Sequence, residues 1–437
     1  MKKVYLSALG FAFLCRVNAY AQLKSSVNVT KPTFTVSAPA KADTTNYESR
    51  QLKIDEINLV SSYYDQTGEH SAITGGIGTQ KVSDISNGLN INLVWWGNTN
   101  KNTLNVGMGL DHHTSASSAY VTTTGQGKQD GSRVYPSLDW TTENQAKGTS
   151  FGLGSYYSGE YNYKSFGADM HFSLKTKDRT GEFSAKFQAY LDKVVMIYPS
   201  ELVTALSPPA PAGSTYITTA SGNRVLSVNG KRSSESSLAT SPRNTYTASF
   251  AWNQIINSRL QVSLLGDVVQ QTGFLSLPYH RVYFNNGKDT IERLPSSRFK
   301  LPLGFRLNYF AGDNIILRTY YRYYTDSWDT RSNTANIEIA YKVSPFFSIS
   351  PFYRYYTQTA AKYFAPYKAT PPTATYFSSN YELAAFNSNF FGAGIRLAPP
   401  KGVGGWQHLH DIELRYGHYT QTTNLASDVI SVALGFK

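Results

Sequence analysis

Two histidines in the stretch WQHLHD (406–411), His408 and His410, stand two residues apart. On an extended strand that spacing puts both imidazoles on one face, where a third ligand from a neighbouring strand would complete a metal site. The same face continues through Ile412, Leu414 and Tyr416. The pair therefore reads as part of an interfacial belt beside Trp406, and no metal site is assigned. Asp111, His112 and His113, followed by Ser115, Ser117 and Ser118, have the residue types of a hydrolytic triad. Neighbouring positions on one strand do not set a serine against a base, and no catalytic residue is assigned. The glycine run TGGIGTQ (74–80) lacks the following helix and the Lys-Ser/Thr of a phosphate loop. It reads as an extracellular hairpin or a lumen-folded loop, and no cofactor is expected.

The most informative chemistry is cationic. Lys300, Arg306, Arg318, Arg322, Lys342, Arg354, Arg396 and Arg415 recur through the C-terminal half, with Glu338, Asp411 and Glu413 as the acids among them. Two of the arginines sit between tyrosines, in TYYRYYTD (319–326) and FYRYYTQT (352–359). Arginine among aromatics suggests base stacking on nucleic acid. The segments that hold these residues point elsewhere.

From about residue 52 to the end the chain alternates with a period of two, and helical periodicity is almost absent. In 314–324 one face carries Ile315, Leu317, Thr319, Tyr321 and Tyr323; the other carries Ile316, Arg318, Tyr320, Arg322 and Tyr324. Similar alternation runs through 182–192, 299–309 and 336–343. A strand shows this when its two faces lie in different solvents. Short turns such as NTNKN (98–102), TKDRTG (176–181) and AGD (311–313) alternate with long links near 115–131, 197–242, 272–297 and 360–382. Short periplasmic turns and long extracellular loops mark an outer-membrane barrel.

The rule gives upward strands near 52–64, 103–114, 149–157, 182–196, 259–271, 314–326, 347–359 and 407–420. Downward strands lie near 82–96, 132–144, 162–175, 243–255, 298–310, 332–343, 383–397 and 426–437. The expected fold is all-β: a transmembrane up-and-down antiparallel barrel of about 16 strands (range 14–18). Alternation then sends Tyr63, Tyr157, Tyr321, Tyr323, Tyr353 and Tyr355 to an outer aromatic girdle and the eight cations and three acids into the lumen. A cation on the lipid face would cost roughly 2–4 kcal/mol at the midplane. In the last segment Ile430, Val432, Leu434 and Phe436 form an apolar face like that of the terminal strand by which such barrels are recognised for assembly, though Lys437 follows the aromatic.

The N-terminus agrees. Lys2 and Lys3, an apolar run over 4–15 and Ala19-Tyr20-Ala21 read as a cleavable secretory signal over 1–21. Residues 22–50 are polar, without a sustained period, and read as a periplasmic tail; the barrel takes 51–437. Cys15, the only cysteine, would leave with the signal, so no disulfide is expected. The formal charge is +12, while charged residues make up 16% and aromatics 14%. Charges fall below the usual ~25%. An exported basic chain meets anionic lipid or small anions rather than nucleic acid.

The stretches SSYYDQTGEHSAITGGIGTQ (61–80), YPSLDWT (135–141), TKDRTGEFSAKFQAYLD (176–192) and IYPSEL (197–202) resemble a Bacteroidota family catalogued as domain of unknown function 3570. The resemblance implies an outer-membrane barrel, in genomic company with flavin-attaching and thioredoxin-like exported proteins. It implies no activity and no catalytic residues.

The expected function is a channel or transport barrel for small solutes in the outer membrane of a Gram-negative cell, with anions favoured unless Glu338, Asp411 and Glu413 pair with the cations or a tail or loop plugs the lumen. One alternative is a scaffold that binds periplasmic or surface partners, with 22–50 as the periplasmic arm. Another is a lipid hydrolase, although no enzyme is expected. Outer-membrane lipids and the barrel assembly machinery are the other expected partners.

Overall fold

The computed structural model describes residues 51–115, 131–160, 162–199, 202, 214–218, 224–228, 231–232 and 239–437. The signal, the tail and Ser117 and Ser118 lie outside the described residues. The first strands are β1 (Lys53–Thr67), β2 (Val82–Trp96), β3 (Asn100–Ser115), β4 (Gly131–Asn144), β5 (Thr149–Gly159), β6 (Tyr163–Lys175) and β7 (Gly181–Val195). Short strands β8 (Ser214–Thr218), β9 (Arg224–Val228) and β10 (Lys231–Arg232) form a separate three-stranded sheet. Then come β11 (Thr240–Asn257), β12 (Leu260–Gly273), and the small hairpin β13 (Arg281–Tyr283) and β14 (Asp289–Ile291). The chain ends with β15 (Ser297–Ala311), β16 (Ile315–Asp326), β17 (Arg331–Ser344), β18 (Phe347–Gln358), β19 (Phe386–Leu397), β20 (Leu409–Gln421) and β21 (Leu425–Phe436).

Sixteen of these strands close into one antiparallel barrel, β1–β7, β11, β12 and β15–β21. The first and last strands seal it, with Ile57 opposite Phe436 and Tyr63 opposite Ile430. Closure leaves no unpaired edge, which any membrane-spanning sheet requires. The start of β1 and the end of β21 lie at the same end of the barrel, opposite the described loops 68–81, 274–296 and 359–385.

The pleat separates two surfaces. Leu303, Phe305, Ile337, Ile339, Phe391 and Leu414 are exposed on the outside, as are Tyr63, Tyr157, Tyr321, Tyr353 and Tyr355. A belt of large exposed apolar side chains around a closed barrel is stable only in lipid. The inside is polar and close-fitted: a side chain at Gly109 would meet the Tyr135 ring at 1.9 Å.

Leu303→Arg puts a charge in the middle of β15 on the outer face. It should destabilise the barrel by about 2–4 kcal/mol, read as a lower denaturant midpoint in lipid vesicles. An unchanged midpoint would place this face away from lipid.

Candidate functional site

The inner wall of β15–β20 holds the sequence-predicted cations in two groups. In the first, carboxylates meet them. Arg318 Nη1 donates to Glu338 Oε1 at 2.6 Å, and Arg415 Nη2 donates to Glu338 Oε2 at 2.7 Å. Arg415 also reaches Glu413 at 3.1 Å, and Arg396 Nε reaches Asp411 at 3.1 Å. The three acids named from sequence are therefore all engaged by arginines. In the second group, Arg306, Arg322, Lys342 and Arg354 have no carboxylate oxygen within 4.0 Å among the described residues. Lys300 is buried and has a partner.

Sequence reasoning passed over further inward cations, among them Arg243 on β11 and Arg298 on β15. The signal was present, since Arg298 shares its parity with Lys300. Arg298 bonds the buried Asp326 and lies over the Trp328 ring at 4.2 Å.

Across the barrel, β2–β7 carry a mixed wall with three Lys/Arg–carboxylate pairs and further acids, Asp84 and Asp192, that pair with no Lys or Arg among the described residues. Arg133 pairs with Asp111 at 2.6 Å, Lys175 with Glu143 at 2.6 Å and Lys186 with Asp169 at 3.2 Å. Asp139, Asp169 and His171 bring one ligand atom each within 4.8 Å of one another. His171 Nδ1 is 3.2 Å from Asp169, and its Nε2 is 2.9 Å from the Thr141 hydroxyl. Lys186 Nζ lies 3.2 Å from the same Asp169 carboxylate, which is therefore shared between His171 and a lysine.

The histidines noted from sequence lie on different surfaces. His113 Nε2 lies 3.3 Å from Glu160 on the inner wall, and His112 Nδ1 lies 2.9 Å from the Ser132 hydroxyl on the outer face. His408 and His410 are exposed at the terminal end, where Trp406 meets Phe436 edge-on at 5.7 Å.

The end opposite the termini is occupied by three loops locked together, 68–81, 274–296 and 359–385. Each is tied to inward wall residues: Gln66 to Gln80 O at 3.2 Å, Arg243 to Phe274 O at 2.8 Å, and Gln358 to Ala384 O at 2.6 Å. The loops also bind one another. Arg281 donates to Ile73 O at 2.7 Å, and Arg293 exchanges backbone bonds with Phe377. The TGGIGTQ glycines act here. Gly76 has φ +86° and packs so closely on Ser379 O that a Cβ would lie 2.7 Å from it.

At the centre of the insert lies Glu292. It accepts from Leu277 N at 2.8 Å and from the Ser378 hydroxyl at 2.5 Å, with His280 Nδ1 at 3.7 Å. Burial pushes its carboxyl upward. His280 and the two hydrogen bonds outweigh burial and hold it below the ordinary range. A cavity of about 320 Å³ remains between Tyr156, Tyr163 and Tyr190 of the wall and Leu277 and Tyr279 of the insert.

A closed strand barrel with an apolar outside, a charged lumen and a loop-filled mouth has the fold of an outer-membrane barrel. Over residues 126–429 the sequence matches the family described as "Protein of unknown function (DUF3570)", and the chain belongs to that family. No curated protein matches it. Among solved structures it is similar to OccK1 (OpdK) of Pseudomonas aeruginosa, with 6% identity over 89% of this chain and 99% of that chain at a TM-score of 0.37. A BenF-like porin from Pseudomonas fluorescens Pf-5 gives 6% identity over 87% and 98% at 0.41. A TodX monoaromatic hydrocarbon channel mutant gives 10% over 87% and 89% at 0.41. Likenesses this distant carry no information on what this barrel does.

Proposed function

We propose that this barrel is a channel for small polar solutes and that its basic wall favours anions. The observation that carries the reading is the contrast within one wall. Arg318, Arg396 and Arg415 are neutralised by carboxylates, whereas Arg306, Arg322, Lys342 and Arg354 face the lumen without an ion-pair partner among the described residues. Uncompensated cations in a low-dielectric channel focus a positive potential and raise the local anion concentration. The opposite wall holds acids beyond its three Lys/Arg pairs, Asp84 and Asp192 among them, so the positive field is strongest beside β15–β18. A sixteen-strand barrel is wide enough for an aqueous path, and the mouth insert narrows its entrance. Under the same reading the Ile430, Val432, Leu434 and Phe436 face is what the assembly machinery recognises, and residues 22–50 are the arm available to a periplasmic partner.

Purified barrel in a planar bilayer under a potassium chloride gradient should give a reversal potential of chloride-selective sign. Potassium selectivity would overturn the basic-wall reading, and absence of current at any voltage would overturn the channel itself.

A further inference from the structure

Three of the unpaired cations converge. The register sets Arg306 opposite Tyr320, Tyr320 opposite Asn336, and Asn336 opposite Arg354, one inward row across β15–β18. Arg322 stands one inward position nearer the mouth, between Gly304 and Thr334. The charges of all three guanidinium groups act on the Tyr320 hydroxyl, as does that of the one neighbouring carboxylate, Asp267. Arg306 lies over the Tyr320 ring and Arg354 over the Phe390 ring, each at 5.7 Å. Stacking steadies a guanidinium plane and leaves its N–H edge free to donate.

Those donors are not all used. Arg322 Nε, Arg354 Nε and Thr334 Oγ1 are buried with no hydrogen-bond partner among the described residues. Asp267 feels the charge of Arg322 but makes no ion pair with it. Buried unmet donors on like charges are costly, and native proteins rarely keep them without a reason. A planar or tetrahedral oxyanion meets both needs once the guanidinium groups turn their N–H edges toward it, since its oxygens accept from the fork while its charge offsets the cations.

We infer that Arg306, Arg322 and Arg354, with Thr334 and Tyr320, form a saturable binding site for the oxyanion group, carboxylate or phosphate, of a small solute. The inference rests on the reading of the lumen as an anion path and supplies the solute class. It also distinguishes a site from a diffuse positive potential, because a fork reads geometry and a potential reads charge alone.

Calorimetric titration of the detergent-solubilised full chain with sodium phosphate, and separately with sodium succinate, tests it at constant ionic strength. One-site saturation by phosphate assigns a phosphate solute; saturation by succinate alone assigns a carboxylate. Arg322→Gln and Arg354→Gln should each weaken the binding roughly tenfold or more, and Arg322→Lys should weaken it too because the fork is lost. Full affinity in Arg322→Lys would reduce the site to bulk charge and overturn it. Saturation by neither anion, or binding indifferent to Arg322→Gln and Arg354→Gln, would overturn it as well. Heat-modifiable mobility on gels shows that each variant keeps its barrel. Binding retained in a barrel that passes no current would sink the channel reading and leave the site standing.

Discussion

Replacing Glu292 with Gln should open the mouth at neutral pH, and in the unmodified chain acid should do the same. Glu292 is the acceptor on which two loops meet: Leu277 N and His280 come from its own loop, Ser378 from another. Its carboxyl is held below the ordinary value of 4.5. The anionic form therefore stabilises the closed insert fully above about pH 4.5, and that contribution is lost as pH falls through the lower, loop-bound value. Gln keeps the shape but loses the charge and turns one acceptor atom into a donor. Leaving buried partners unmet costs about 1–3 kcal/mol, a large part of what three surface loops can hold. Single-channel conductance should rise severalfold in Glu292→Gln at pH 7, and in the unmodified chain only below about pH 4.5. The Gln variant should show no further acid step. If it still does, the acid response belongs to other groups and Glu292 is not the latch.

The wall of this molecule was legible because a strand between two solvents must alternate, and the alternation survives in composition. The reading placed a strand at 82–96, where β2 runs Val82–Trp96, and another at 426–437, where β21 runs Leu425–Phe436. The same parity that sends Tyr321 outward turns Arg322 inward, so the tyrosine-arginine runs needed no long-range information. The mouth is different. Glu292 and Ser378 lie 86 residues apart, and Arg281 and Ile73 lie 208 apart. Their loops have no period, because a loop packed on loops satisfies its polar groups one contact at a time. Glycines at 75, 76 and 78 hinted at close approach without showing to what. The strand expected from 383 begins only at Phe386, because residues 381–383 form a 3₁₀ turn capped by Asn380. Which cations stay unpaired was equally hidden. Arg318 and Arg322 occupy the same face of one strand, and only the register sets Glu338 opposite the first and Thr334 opposite the second.

The largest stability loss from a single polar residue should come from Asp326→Ala. Asp326 ends β16 with a fully buried side chain and serves five donors. Its Oδ2 accepts from Arg298 Nε at 2.9 Å, from Arg298 Nη2 and from the Tyr324 hydroxyl at 2.6 Å. Its Oδ1 accepts from Trp328 N at 2.8 Å and Thr330 N at 3.1 Å, shaping the turn into β17. Truncation leaves the Arg298 charge without its carboxylate, at a cost of about 3–5 kcal/mol for a broken buried pair. The turn also loses its acceptors, so Trp328, which bonds Ser297 O and packs edge-on against Tyr363 at 5.7 Å, loses its seat. Asp326→Asn separates the two contributions: Asn keeps an acceptor for the turn and gives up the charge, so it should fall between the parent and Ala. Denaturant midpoints in vesicles give the order parent, Asn, Ala. The loss should be accompanied by protease cleavage within 359–385, because Lys362 N bonds Trp328 O at 2.9 Å and ties that loop to the turn. An Ala variant with the parent's midpoint would mean that Arg298 finds another anion, and the hub at Asp326 would then be dispensable.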